Sequence, residues 1–221
     1  MSTALIITTL DEVTGVKNVV PRIKKEWVDE IIFVDGGSTD GTIEEAEKMG
    51  FKVIIQKQKG LGAGIIEGVN AIKSDNFILF GPDGNDEPEK IPKIIEKFKE
   101  NCDQVAATRF GKGSINLDAG PIDAFGNRMF TFLVNTFFGG RLTDSLFGFK
   151  IIKKDVFNNL NLDGEFLTLE QQMSIKSCKY NLKIAEIDGR EPKRIGGEAK
   201  MKPLETGYAL SKQIIKEFVR W

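Results

Sequence analysis

The stretch Ile31-Ile32-Phe33-Val34-Asp35-Gly36-Gly37-Ser38-Thr39-Asp40-Gly41-Thr42 limits what this chain can fold into more than any other. Four apolar, mostly β-branched residues predict a buried strand. An acidic, glycine-rich turn follows, and Thr42 to Met49 predicts a helix. Ser38, Thr39 and Asp40 are each competent to cap that helix, and Gly50 is placed to stop it. In an open α/β sheet, a strand end that turns straight into a helix lies where ligands bind. A capped βα turn without chemistry is the plainer alternative.

The same alternation runs through the first half of the chain. Ala4–Ile7 predicts the first strand, leaving through Thr8-Thr9-Leu10-Asp11-Glu12 with two carboxylates. Val16, Val19, Val20 and Ile23 have helical spacing, which Pro21 interrupts. Phe51–Ile55, Asn76–Phe80 and Val105–Ala107 predict further strands, and Ile91–Phe98 a helix. The cluster Gly60-Leu61-Gly62-Ala63-Gly64 precedes a helix that buries Ile65, Ile66, Val69 and Ile72. Strands and helices alternating at this length predict an α/β fold, Rossmann-like, with a mainly parallel sheet and helices on both faces.

Beyond Arg109 the texture changes. Gly111–Gly126 predicts a loop, Met129–Phe138 a strongly apolar and aromatic segment ended by Gly139-Gly140, and Phe147–Ile152 another strand. Glu170–Lys179 predicts a helix, Leu182–Ile187 an edge strand, Pro192–Lys202 a basic loop, and Leu204 to Trp221 a closing helix. No linker or repeat divides residues 1–221, so a single domain is expected.

Several function classes drop out. There are no histidines, which removes Ser-His-Asp and Cys-His catalysis and histidine zinc sites together. Cys102 and Cys178 fit no metal spacing and are expected to be reduced core residues. A net charge of −1 argues against a nucleic-acid partner. No apolar run is long enough to span a bilayer, and the first residues lack the pattern of a signal peptide, so a cytoplasmic location is expected. The glycine cluster misses the G-x-G-x-x-G register, and no Walker A loop exists.

Chemistry concentrates at the predicted strand ends. Asp35 and Asp83 mark two acidic turns read as neighbours in the sheet, with Asp11 and Glu12 as a third pair. Carboxylates crowded at one edge repel one another unless they bind a ligand or a cation. Oxygen ligands beside glycines suit Mg2+ or Mn2+ bridging to a diphosphate.

In order along the chain, these motifs resemble the inverting glycosyltransferases of family two, which have the GT-A fold. Thr8–Glu12 resembles the family's P-T-Y-N-E, Asp35–Thr42 its D-D-G-S-T-D-G-T, and Lys59–Ala63 its N-R-G-L-G-A. Pro82–Pro92 resembles the D-A-D loop with P-E-x-I-P, Thr143–Lys150 the D-x-T-S-G-F-R element, and Arg194–Lys200 the late R-x-G-G-S-K. The nearest branch is the dolichyl-phosphate mannose synthases and related polyprenyl-phosphate hexosyltransferases. Gly81 stands where the first Asp of D-x-D belongs and Gly36 where the second Asp of D-D-G-S belongs. Asp86 is then the other carboxylate of the loop.

The resemblance implies a metal-dependent hexosyltransferase. Residues to about 110 would bind a GDP- or UDP-hexose, and residues 111–221 would receive the acceptor. It implies donor contacts at Thr9, Asp11, Glu12, Asp35, Lys59 and Gly62, and Mg2+ or Mn2+ at Asp83 and Asn85. Arg109, Arg128, Arg194 and Lys200 would bind a lipid phosphate, while Met129–Phe138 and the last helix, with Tyr208, Phe218 and Trp221, would rest peripherally on a membrane. A phosphate acceptor is already a nucleophile; a glycan hydroxyl would need a carboxylate base, for which Asp144 and Glu170 are candidates beside Asp83. A non-catalytic nucleotide-sugar binder is the reading from another class.

Overall fold

In the computed structural model, which describes residues 1–165, 168–196 and 202–220, one seven-stranded sheet carries the chain. β1 (Thr3–Thr9), β2 (Glu30–Asp35), β3 (Lys52–Ile55) and β4 (Asn76–Phe80) alternate with α1 (Val13–Val19), α2 (Thr42–Lys48) and α3 (Leu61–Ala71). α4 (Ile91–Phe98) and β5 (Gln104–Thr108) follow, then β6 (Ile115–Asn116), α5 (Pro121–Phe138), β7 (Lys150–Lys153) and α6 (Lys154–Asn159). α7 (Thr168–Lys179), β8 (Ile184–Asp188), β9 (Arg190–Glu191) and α8 (Pro203–Val219) complete the order. The sheet runs β3-β2-β1-β4-β7-β5-β8, and β7 alone is antiparallel, seated between β4 and β5. β6 and β9 pair in a separate short parallel ribbon.

The strand sequences explain the layering. Ala4-Leu5-Ile6-Ile7 and Phe77-Ile78-Leu79-Phe80 are buried throughout, the unbroken apolar runs that a doubly covered parallel sheet needs. Leu5, Ile7, Phe33, Ile78 and Phe80 meet α1 and α4 on one face, through Val16, Val19, Ile91 and Ile94. Ala4, Ile6, Val34, Phe77 and Leu79 meet α3 and α7 on the other, through Ile65, Val69, Leu169 and Met173. A third cluster joins α5 (Phe130, Val134, Phe138), α7 (Ile175, Cys178) and α8 (Leu210, Ile214).

Details depart from the sequence reading. α1 stops at Val19, and Pro21 lies in a 3-10 turn, Val20–Arg22. Gly62 and Gly64 lie inside α3, which starts at Leu61. The stretch read as a loop over Gly111–Gly126 holds β6 and the first turns of α5, whose start Pro121 suits. The helix after Asp35 is preceded by Gly41 at φ 95°, while Asp40 accepts the Thr42 N–H from just outside it. β1 separates β2 from β4, so Asp35 and Asp83 flank Thr9 rather than each other. Both cysteines are free and buried. Among the described residues, no helix is long and apolar enough to cross a membrane.

Candidate active site

The loops leaving β1 and β2 are laced together. Asp35 is fully buried, and its carboxylate accepts from Thr9 Oγ1 at 2.6 Å, Gly37 N–H at 2.8 Å, and Ser38 N–H and Oγ at 2.6 Å each. Ser38 Oγ in turn accepts the Asp11 N–H, and Asp11 Oδ1 accepts the Thr39 N–H. Glu12 N–H donates to Thr42 Oγ1, and Val13 N–H to Asp40 Oδ2. The predicted donor residues Thr9, Asp11, Glu12 and Asp35 are thus gathered at one place. Both Asp35 oxygens are already engaged, so Asp35 shapes the turn that carries Asp11 and Ser38.

The third loop, 81–86 after β4, is pressed against these by α1. A Cβ at Gly15 would lie 2.1 Å from the Pro82 carbonyl oxygen, so only glycine lets the helix come this close. Asp83 Oδ1 accepts the Asn85 N–H at 2.9 Å, and Gly81 N–H donates to Asp86 Oδ2 at 2.8 Å. Burial, and then the charge of Asp83, push the Asp86 carboxyl well above the usual range. Arg194 reaches in from the segment after β9 and donates to Glu12 Oε1 at 3.0 Å and Asp83 Oδ2 at 2.7 Å. The strap is pinned by Ile195 N–H to the Asp83 carbonyl and by Arg194 N–H to Asp118.

Behind β5 lies a second cluster, of opposite construction. Arg109 donates from Nε and Nη2 to the two oxygens of Asp144, at 2.6 and 2.9 Å, and from Nη1 to Glu191 at 3.3 Å. Burial works against the guanidinium charge, but Asp144 and then Glu191 outweigh it and raise the pKa of Arg109 further. Its guanidinium also lies over the rings of Phe110 and Phe147, while exposed Arg128 on α5 approaches Phe110 at 5.1 Å. Deeper still, burial pushes Glu170 up and Lys150 down, each opposed by the other's charge. Glycine at 148 leaves room for the Glu170 carboxylate, since a Cβ there would lie 2.3 Å from Oε1.

The strand ends thus carry an acidic cleft crossed by the Arg194 guanidinium, with a buried cluster of ion pairs around Arg109 behind β5. Residues 5–160 match the model of glycosyl transferase family 2. The chain belongs to that family. Its curated relatives include a dolichyl-phosphate hexose transferase of Haloferax volcanii, 26% identical over 96% of this chain and 92% of that one. A dolichol-phosphate mannosyltransferase of Pyrococcus furiosus is 27% identical over 91% of this chain, which spans 60% of that longer protein. Among solved structures, glucosyl-3-phosphoglycerate synthase from Mycobacterium tuberculosis superposes with a TM-score of 0.74 over 97% of this chain and 76% of that one. It was solved with Mg2+ and UDP (19% identity), and with Mn2+, UDP and phosphoglyceric acid (18% identity). The fold is therefore that of the GT-A glycosyltransferases, and this family 2 protein is a glycosyltransferase.

Other sequence-predicted residues fall unequally around this family 2 cleft. Lys59 is exposed ahead of α3, whereas Gly62 serves packing, since a Cβ there would lie 2.5 Å from the Gly164 carbonyl oxygen. Asp144 has a fully buried side chain bound to Arg109. Lys200 lies outside the described residues, as does Trp221. Glu191 and Asp118 carry no mark in their neighbours, because the partners of Glu191 are 75 and 82 residues away and those of Asp118 include Asn85 and Arg194, 33 and 76 away; Lys150 falls in the Thr143–Lys150 element but reads there as a strand residue. Among the described residues no three His, Cys, Asp or Glu side chains group as a metal cage. The loop still fits a hard cation held by few protein oxygens, because Asn85 Oδ1 is buried without a donor beside Asp83.

Proposed function

We propose that this glycosyltransferase moves a hexose from a nucleoside-diphosphate sugar to a phosphate carried on a polyprenyl lipid, with inversion at the sugar. What carries the reading is one juxtaposition on α5. Arg128 holds an exposed guanidinium beside Phe110, on the helix whose exposed stripe is Ile122, Phe125, Met129 and Phe132. A cation next to an unpartnered apolar stripe suits a ligand with a phosphate head and a hydrocarbon tail. The names of the Haloferax and Pyrococcus relatives support the same substrate class.

In this reading the donor lies on the laced loops, with Asp11 and Glu12 facing the nucleotide and Thr9 and Asp35 fixing the floor. Asp83 and Asn85 would hold Mg2+ or Mn2+, which when bound neutralises charge on the diphosphate. Arg194 is the chain's own cation at that place and transfers from Glu12 and Asp83 to the leaving diphosphate oxygens. The acceptor phosphate oxygen attacks the anomeric carbon in line as the bond to the diphosphate breaks, and its proton state needs no base at neutral pH. The hydroxyl-acceptor alternative has less behind it, because Asp144 is committed to Arg109 and Glu170 is buried close to the Lys150 charge. With Arg109 occupied by Asp144 and Glu191, the acceptor phosphate falls to Arg128, with Lys200 as a second cation.

The test is transfer of labelled hexose from UDP- and GDP-sugars to a short-chain polyprenyl phosphate, against the matching alcohol and a glycan. Transfer to the phosphate alone is expected, and Arg128→Ala should raise KM for the lipid about tenfold or more, a charge-assisted contact of about 1.5–3 kcal/mol. Transfer confined to hydroxyl acceptors overturns the reading.

A further inference from the structure

In the 81–86 loop, the position without a side chain is rimmed by carboxylates. Beyond its chain neighbours, the three atoms nearest a Cβ built at Gly81 all belong to carboxylates: Asp86 Oδ2 at 3.7 Å, and Asp83 Oδ1 and Cγ at 3.8 and 4.0 Å. Asp86 is folded back over the loop, only 8% exposed, with Oδ2 on the Gly81 N–H. Arg194 takes the other oxygen of Asp83, Oδ2, and leaves the Oδ1 side facing Gly81. Asn85, hydrogen-bonded to that same Oδ1 through its N–H, turns its amide nitrogen to Asp118 and keeps its carbonyl oxygen buried without a donor.

We propose that Asp86 supplies the carboxylate that position 81 lacks, so that Asp83, Asn85 and Asp86 form the oxygen set for a divalent cation on the donor diphosphate. The proposal rests on the metal reading above and extends it to a residue outside the D-x-D spacing. A purely structural Asp86 would need only a hydrogen-bond acceptor for the Gly81 N–H, which asparagine supplies equally well. A cation ligand needs the charge. Magnesium and manganese favour anionic oxygens and keep several waters, so one lost carboxylate out of two weakens the site without unfolding the loop.

The experiment measures Mn2+ binding directly, by electron paramagnetic resonance and calorimetry, with UDP and in parallel with GDP. The proteins are wild type, Asp86→Asn, Gly81→Asp and the double variant, each checked for an unchanged melting transition without metal. Asp86→Asn should weaken Mn2+ about tenfold or more, and Gly81→Asp in that background should bring it back to within about threefold of wild type. Wild-type affinity in Asp86→Asn, or a double variant that binds no better than Asp86→Asn, overturns the role of Asp86. Absence of any nucleotide-dependent Mn2+ binding in wild type overturns the metal reading beneath it, while the lipid-transfer assay is unaffected by that outcome.

Discussion

Asp35 and Asp144 are both buried carboxylates in the same cleft, yet they are held in opposite ways. Asp35 is bound by hydroxyls and main-chain N–H groups, three of them donated by Gly37 and Ser38 in its own turn and one by Thr9 on the next strand. Asp144 is bound by a guanidinium 35 residues away, which also reaches Glu191, 82 residues distant. The strand-end loops are thus built from short-range polar turns on a parallel sheet. The cluster behind β5 is built from long-range ion pairs. Neutral donors hold a carboxylate without cancelling its charge, so Asp35 adds to the acidic field that Asp11, Glu12 and Asp83 share with Arg194. Paired ions fix distant loops to one another, but they take the charges out of use for chemistry.

The sharpest way to break this comparison is Asp144→Ala, which leaves Arg109 buried with only Glu191. A loss of about 3–5 kcal/mol in chemical unfolding is expected. Replacing all three partners, Arg109→Met with Asp144→Leu and Glu191→Gln, should recover most of it, since no buried charge is then left without its partner. Next comes Asp35→Asn, which keeps the shape but turns one oxygen into a donor facing other donors; about 2–3 kcal/mol is expected, read as a lower melting temperature. If it melts like wild type, the local turn is not what holds the strand-end loops together.

Arg194→Ala probes the ion bridge that ties the segment after β9 to Glu12 and Asp83. Its side chain is 24% exposed, so stability should change by no more than about 1 kcal/mol. Turnover should fall by at least about tenfold, because the leaving diphosphate loses a cation. Equal losses of stability and turnover would mean that the strap is only a structural tie.

The smallest effect concerns Asp188, where hydrogen bonds from Lys90 and then Lys93 bring its pKa down to about 2. The folded value lies below the unfolded one, so the stabilisation is fully present above about pH 4 and is lost as the pH falls toward 2. Its size should be about 1 kcal/mol or less, given its partial exposure. Urea midpoints at pH 5 and pH 2.5 should differ less in Asp188→Asn than in wild type.

The same contrast decides what the sequence could reveal. Buried parallel strands announce themselves as runs such as Phe77–Phe80, and a turn made from adjacent residues leaves its signature in adjacent letters, as Asp35–Thr42 does. α7 shows the opposite case. Leu169 through Cys178 are all buried although the stretch Glu170-Gln171-Gln172 is polar, because Gln172 bonds Asp163 and Glu217, and Ser177 bonds Gln104. Those partners come from elsewhere in the chain, so periodicity alone could not say which way the helix faces. Arg109 was legible as a cation at a strand end but its ion pairs were not, since nothing near it in sequence foretells Asp144 and Glu191. The role of Gly15 was not legible at all, because a close approach to Pro82 leaves no mark on its neighbours.

β7 has a consequence for the order in which the molecule is assembled. It fills the gap between β4 and β5, yet it is encoded more than 40 residues after β5 ends, past α5 and its flanking loops. As the chain emerges from a ribosome, β1 to β4 can join as a half-sheet, but β4 and β5 each present an open edge until Lys150–Lys153 arrives to close them. Those waiting edges are apolar, the kind that pairs with other chains. The antiparallel strand joins the two parts of the sheet late, with only β8 still to be added outside β5, and a nascent chain released before residue 153 would be expected to need protection that the finished protein does not.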